Sequence, residues 1–309
     1  MGIPRGVGRL LLDEARERPF AGSLLLLSRM TVYFTLGELR AWAKQQNVRL
    51  AEVEPRPSHV PNLAAIGCID DHTLFKALGF ERVESVDFSS WEGADYLADL
   101  NRPLPAELHG RFDAVFEAGT IQHVFHLPQV LANIHALLKP GGRAIHGMAT
   151  SSNHVDHGFY MYSPTLFHDF YSENGWRIDA AYFYLFAPYW HRHRFESAPW
   201  KIYRYEPGCL DALAYGGMGA DQLALFFAVT KATGARADVI PQQSYFRRFW
   251  PAAEVEQEKI AAAPPAVPRE LLEGPGHRAV DGPLLLAKRL RQWLRRHLPR
   301  KLPKVHARY

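Results

Sequence analysis

The chain has 309 residues, 47% hydrophobic and 22% charged, which suits one large α/β domain with additions or two modest domains and excludes wholesale disorder. No apolar run approaches the roughly 20 residues that span a bilayer, and residues 24–27 are too short for a signal-peptide core. Two cysteines, Cys68 and Cys209, give neither a disulfide framework nor a cysteine zinc site, so a reducing cytoplasm is the expected compartment.

The net charge of +4 is unevenly spread. Residues 284–309 hold nine Lys/Arg and no acid, whereas the first 283 residues hold 27 basic and 32 acidic side chains. A mildly acidic body gives no reason to expect a nucleic-acid surface on the main fold.

In chain order, residues 1–19 read as an N-terminal extension. Residues 23–27, fully apolar after Ser23, predict a buried central strand of a parallel sheet. Leu36, Leu39, Trp42 and Ala43 fall at helical spacing over 36–46. Three prolines make 54–62 a surface loop, and Asp70 or Asp71 caps a helix that runs to Leu78 and stops at Gly79. Residues 82–88, 94–100 and 112–117 read as strands. A helix over 128–138 starts at Pro128 and is followed by Pro140-Gly141-Gly142, then a short strand over 143–148. Residues 163–174 predict a capped helix between Ser-Pro and Asn-Gly. Two β-rich runs at 177–186 and 222–230 enclose an aromatic-rich segment, and Pro and Ala make 261–268 a linker. No internal repeat is visible. The alternation predicts a Rossmann-like, mostly parallel sheet flanked by helices over 20–230, then a linker and extension over 231–283 and a basic tail over 284–309.

In such sheets ligands bind beyond the carboxyl ends of the strands. Asp87, with Phe88 beside it, ends one strand and is placed to accept hydrogen bonds from ribose hydroxyls. Asp99 and Leu100 end the next, an acid and an apolar side chain suited to an adenine edge and face. Glu117-Ala118-Gly119 follow the third, where small residues let a ligand approach the backbone. Singly, each acid reads as a solvated strand end or a helix cap; their order and spacing favour a nucleoside site.

The segment RFDAVFEAGTIQHV followed by LANIHALLKPGGR resembles the class I S-adenosylmethionine (SAM)-dependent methyltransferases, and ERVESVDFSSWEGADYLADLN is similar to that family's second and third strands. The resemblance implies SAM as cofactor, with Asp87 on its ribose, Asp99 and Leu100 on its adenine, and Glu117 to Gly119 beside its methionine moiety. One departure stands out: the family's first strand runs into a glycine-rich loop, and here that stretch, residues 27–33, has no glycine. Either the loop is rebuilt, with the Ser28 and Thr31 hydroxyls contacting the cofactor, or the cofactor site has decayed. The Gly6-Val7-Gly8 triplet does not replace it, because no strand is expected before it.

Nine of the 15 histidines lie between His123 and His193. His123 follows the fourth strand, and His154-Val155-Asp156-His157 follows the fifth, beside the expected substrate pocket. A neutral histidine there can take a proton from a hydroxyl or ammonium as the methyl group transfers, so His157 and His123 are the expected bases. His154, Asp156 and His157 have metal-donor chemistry, but a loop fixes no geometry and no third distant ligand can be named, so no metal is assigned. His154 and Tyr160 are expected to contact the substrate, together with Tyr189, Arg192 and Arg194, which could stack on a sugar or aromatic acceptor and pair with its acidic groups.

In the tail, Leu286, Leu290, Trp293, Leu294 and Leu298 recur at helical spacing among Lys288, Arg289, Arg291, Arg295 and Arg296. That pattern fits an amphipathic helix on an anionic membrane or acidic protein, peripheral at the inner membrane, and equally a helix docked on the body or on a twin subunit. Nucleic acid is disfavoured, since no aromatic platform accompanies the charge. The expected function is methyl transfer from SAM to an oxygen or nitrogen of a small molecule or saccharide. The alternatives are a catalytically inactive scaffold or binding subunit, and a metal-assisted enzyme on the same fold.

Overall fold

The structure, a computed structural model, describes residues 2–186, 200–210, 222–247, 290 and 303–309. Its contacts divide the chain into one unit of Met1–Pro207, Ala220–Gln243 and Pro303–Tyr309, and a second of Gly208–Gly219 and Ser244–Leu302. The first unit carries the sheet.

Strand β1 (Gly2–Ile3) precedes helix α1 (Arg5–Glu17), then come β2 (Ser23–Leu27), β3 (Thr31–Val32), α2 (Leu36–Gln45), α3 (Pro61–Ala64), α4 (Asp71–Leu78), β4 (Arg82–Asp87) and β5 (Tyr96–Leu97). After these follow β6 (Phe112–Glu117), α5 (Leu127–Leu137), β7 (Leu138–Ser152), α6 (Pro164–Glu173), β8 (Arg177–Phe186), β9 (Lys201–Arg204), β10 (Gln222–Thr230) and β11 (Val305–Arg308). The second unit contributes the short helix α7 (Ser244–Arg247).

The nine-stranded sheet has the order β11-β9-β8-β10-β7-β6-β2-β4-β5, and only β10 and β9 run against the others. The chain steps outward from β2 to β4 and β5, then returns across β2 to β6 and β7. That reversal puts a switch point between β2 and β6, where doubly wound sheets open a crevice at their carboxyl edge.

All five residues of β2 are buried because helices cover both faces. Leu24 and Leu26 join the core with α1, α2 and α4. Leu25 and Leu27, alternating to the other face, lie on the side of α5 and α6, which bury Val130, Ile134, Phe167 and Phe170. Local chemistry sets the helix ends: Thr35 and Glu38 form a capping box on α2, Asp70 caps α4, and Ser163 caps α6. Gly79 closes α4 with φ +119°, a conformation that side chains disfavour.

Several expectations change. The strand foreseen over 94–100 shrinks to Tyr96–Leu97: before it Asp95 accepts the Ser85 N–H of β4 at 2.8 Å, and after it Asp99 accepts the Asn101 N–H at 2.9 Å. The strand foreseen over 143–148 is a fifteen-residue β7 pairing with both β6 and β10. Residues 5–17 are a core helix with Val7, Leu10, Leu11 and Leu12 buried. Its buried Glu14 pairs with Arg18 and, at 3.0 Å, with Arg143 of β7, which fastens α1 to the sheet's amino edge. Gly6 and Gly8 serve packing, since a Cβ on them would strike the Trp200 and Phe34 rings at 2.1 and 2.8 Å.

Residues 261–268 and most of the basic tail lie outside the described residues; within the tail, Leu290 is helical. Residues 305–308 depart from the expected helix and form an edge strand on β9. Tyr309 exchanges backbone hydrogen bonds with Trp200, donates its hydroxyl to Asp13, and lies 4.7 Å from the Arg9 guanidinium.

Candidate functional site

The carboxyl ends of β2, β4, β6 and β7 converge at the switch point. At the end of β2, Ser28 has φ +77°, the left-handed backbone that glycine adopts freely and that costs a side-chain residue about 1–2 kcal/mol. Two bonds offset that cost: its N–H donates to the Val86 carbonyl at 2.7 Å, and its hydroxyl donates to Asp87 Oδ2 at 2.6 Å. These bonds tie the glycine-free loop to the acid at the end of β4. Arg29 fastens it further, through a bidentate pair with the buried Asp71 and bonds to the Glu92 and Gly93 carbonyls. Thr31 lies in β3, paired with β1, and its hydroxyl meets His59 at 3.5 Å.

Asp87 also accepts the Ser89 N–H through Oδ1 at 3.2 Å, and each of its oxygens keeps acceptor capacity for a diol. Beside it, Phe88 and Trp91 stand open at 78% and 91% exposure, apolar faces on which a base can stack. Sequence reasoning had passed over Trp91. Asp99 is half-buried, and its hydrogen bonds from the Asn101 backbone and side chain hold its carboxyl below the usual range. Leu100 is buried, with its carbonyl accepting from Asn133 of α5 at 3.1 Å.

Glu117, Ala118, Gly119 and Thr120 are all buried. The Glu117 carboxyl turns inward: Oε1 lies 3.0 Å from His146 Nδ1, and Oε2 accepts the Gly119 and Thr120 N–H groups. Gly119 turns with φ +89°.

A second surface at this edge is built by residues 121–123, a short 3₁₀ turn, and 153–162, the segment after β7. Asn153 and Asp156 take left-handed backbone angles, which their short polar side chains tolerate, and the chain doubles back so that the Phe159 N–H donates to the Gln122 carbonyl at 2.8 Å. This brings the His123 and His157 rings to 5.4 Å, both exposed, with His154 6.1 Å from His157. Partial burial, then the facing His157, lowers the His123 imidazole below the ordinary histidine value. Burial and the nearby His157 push His154 down to about 4, so His154 is neutral at pH 7. Tyr160 stacks on Tyr162 and donates to the Phe125 carbonyl at 2.5 Å.

Gln122 Oε1, His154 Nε2 and the Tyr162 hydroxyl are buried without hydrogen-bond partners among the described residues, a donor and acceptor set that a polar ligand group can satisfy. Gln122 directly precedes His123, and Tyr162 stacks on Tyr160; neither residue type carried a sequence signal. Tyr189, Arg192 and Arg194 lie outside the described residues. Among the described residues, the side chains close enough to share a metal ion are Asp70, Asp71 and His72, but Asp70 caps α4 and Asp71 holds Arg29.

A family model described as a methyltransferase domain matches residues 77–146, from the end of α4 into β7. No curated protein matches the sequence significantly. Similar solved structures include geranyl diphosphate methyltransferase in complex with SAM, at 12% identity and TM-score 0.39 over 74% of this chain and 85% of that one. A SAM-dependent methyltransferase from Thermotoga maritima aligns at 13% identity and TM-score 0.31 over 73% and 91%. Phosphoethanolamine N-methyltransferase 2 of Haemonchus contortus with SAM aligns at 16% and 0.36 over 72% and 52%. The segment that matches a methyltransferase domain carries β4, β5 and β6, whose carboxyl ends lie at the reversal beside β2 where Ser28 bonds Asp87.

Proposed function

We propose that the protein transfers a methyl group from SAM to an oxygen or nitrogen of a small-molecule or saccharide acceptor that enters over His123 and His157. The observation carrying this is the meeting, at one sheet edge, of the Ser28–Asp87 pair with two facing histidines. Bound SAM supplies an electrophilic methyl group on a sulfonium. Asp87 accepts the ribose hydroxyls, Phe88 and Trp91 offer faces to the adenine, and the Ser28 turn lets the backbone approach. His157 takes the acceptor's proton, and His123, its pKa lowered, stands beside it as a second base. Gln122, His154, Tyr160 and Tyr162 orient the acceptor, which supplies the in-line alignment that displacement at carbon needs. Tyr189, Arg192 and Arg194 are proposed for acidic or aromatic groups farther along the acceptor. Ser28 in glycine's conformation supports binding over a decayed site.

Calorimetry tests the reading. The wild-type protein should bind SAM and S-adenosylhomocysteine, and Asp87→Ala should weaken both by about 10- to 150-fold, the worth of a charged acceptor at about 1.5–3 kcal/mol. Failure of the wild type to bind either at millimolar ligand sinks it.

For the basic segment before Pro299, we propose contact with an anionic membrane surface on the cytoplasmic side. Cutting the chain at Gly282 cannot test this alone, because it also removes β11 and Tyr309 from the sheet. Replacing Lys288, Arg289, Arg291, Arg295 and Arg296 with Gln is the cleaner change. Each cation contributes about 1 kcal/mol near such a surface, so binding to anionic vesicles at low salt should disappear in the variant. Equal vesicle binding by wild type and variant, or none by either, would remove the membrane role.

A further inference from the structure

A buried line of hydrogen bonds runs from helix α6 to the end of β2. Tyr171 on α6 meets His146 Nε2 at 2.6 Å, and His146 Nδ1 meets Glu117 Oε1 at 3.0 Å. Glu117 Oε2 accepts the N–H groups of Gly119 at 3.0 Å and Thr120 at 3.2 Å, and the Thr120 hydroxyl donates to the Leu27 carbonyl at 2.5 Å. Leu27 is the last residue of β2, and the next residue is Ser28, bonded to Asp87. Glu117, His146 and Tyr171 are each 1% exposed, so the line is shielded from water along its length.

The donor directions follow from chemistry. A carboxylate only accepts, so Nδ1 of His146 carries the hydrogen, and in a neutral imidazole Nε2 then presents its lone pair to the Tyr171 hydroxyl. Burial raises the Tyr171 phenol well above its ordinary value, so it keeps its proton and donates. A histidine and tyrosine that merely satisfied each other in the core would end there. This line ends on the two loops that flank the switch point, where the cofactor binds on the function proposed above, on which this inference rests.

We propose that Glu117, oriented by His146 and Tyr171, is a positioning residue that fixes the Gly119–Thr120 turn and, through Thr120, the end of β2 for cofactor binding. The role is independent of which histidine acts as base. Its members come from three separate elements, and each removal leaves a buried partner unpaired, so the loops lose their anchor even where the sheet survives.

The test uses the full chain, with histidine ¹⁵N shifts read by NMR and S-adenosylhomocysteine affinity read by calorimetry. In the wild type, His146 should be the Nδ1–H tautomer. Glu117→Gln should invert it: the amide NH₂ donates to Nδ1, Nε2–H donates to the Tyr171 oxygen, and the amide oxygen still accepts from Gly119 and Thr120. This conservative variant should bind within about threefold of wild type, because a rearranged line still holds the turn. Glu117→Ala should weaken binding about tenfold or more, and Tyr171→Phe about fivefold. Should Glu117→Ala not fold, the Gln variant's tautomer and the Phe variant's affinity decide. An Nε2–H tautomer in the wild type overturns the proposal. So does a folded Tyr171→Phe or Glu117→Ala protein whose affinity equals that of wild type while its melting temperature falls.

Discussion

Replacing His157 with Gln is expected to lower turnover about 10²- to 10⁴-fold while leaving the SAM dissociation constant unchanged, the range for loss of a general base. The side chain is exposed at the mouth of the site and faces His123 at 5.4 Å, so the change removes a titratable group without opening the core. His123→Gln should cost less, since His157 remains. In the wild type the acid limb of turnover reports the pair. Desolvation is the larger cause of the lowered His123 pKa and survives the loss of His157, so the limb in His157→Gln should still fall below the ordinary histidine value of about 6.5. Steady-state kinetics from pH 5 to 9 on the three proteins measures this. Unchanged turnover in both single variants would assign the pair to loop structure.

The parts of this fold that could be read from sequence are those whose physics is local. The SLLLL run of β2, the caps at Asp70 and Ser163, the stop at Gly79 and the LLKPGG lead into β7 each depend on neighbours within a few residues. What escaped the sequence depends on distant partners. Ser28 tolerates a left-handed turn because Asp87, 59 residues away, takes its hydroxyl. Glu117 turns inward because His146, 29 residues on, receives it. The amino-terminal helix belongs to the core because Arg143 meets Glu14 across 129 residues, and the last residues become a strand because β9 has a free edge. The site was legible in the same proportion. Asp87, His123 and His157 stand at strand ends where position alone points to chemistry, whereas Gln122, Tyr162 and Trp91 become candidates only through the surfaces around them.

Asp70 and Asp71 looked interchangeable as caps for α4, and the structure separates them by what each would leave behind. Asp70 accepts the Thr73 N–H at 2.7 Å and ends one helix. Asp71 is fully buried, holds Arg29 through Nε at 2.9 Å and Nη2 at 2.7 Å, and accepts the Met30 N–H at 2.7 Å. Burial alone would pull the Arg29 guanidinium down, but hydrogen bonding and charge from Asp71 outweigh it and hold the group above its ordinary value. Asp70→Ala is therefore expected to lose about 1 kcal/mol of stability, the worth of an N-cap. Asp71→Ala should lose about 3–5 kcal/mol, because it strands a largely buried cation. Urea unfolding of the two variants measures the contrast, and similar small losses would show that water reaches Arg29. Replacing both partners, as Asp71→Leu with Arg29→Met, should recover much of that stability, since no charge is left unpaired. SAM affinity should stay weak in the double variant, because Arg29 also ties the Ser28 turn to the Glu92 and Gly93 carbonyls. Stability and binding would then part company at one ion pair, as expected of a residue that both fills the core and shapes the cofactor loop.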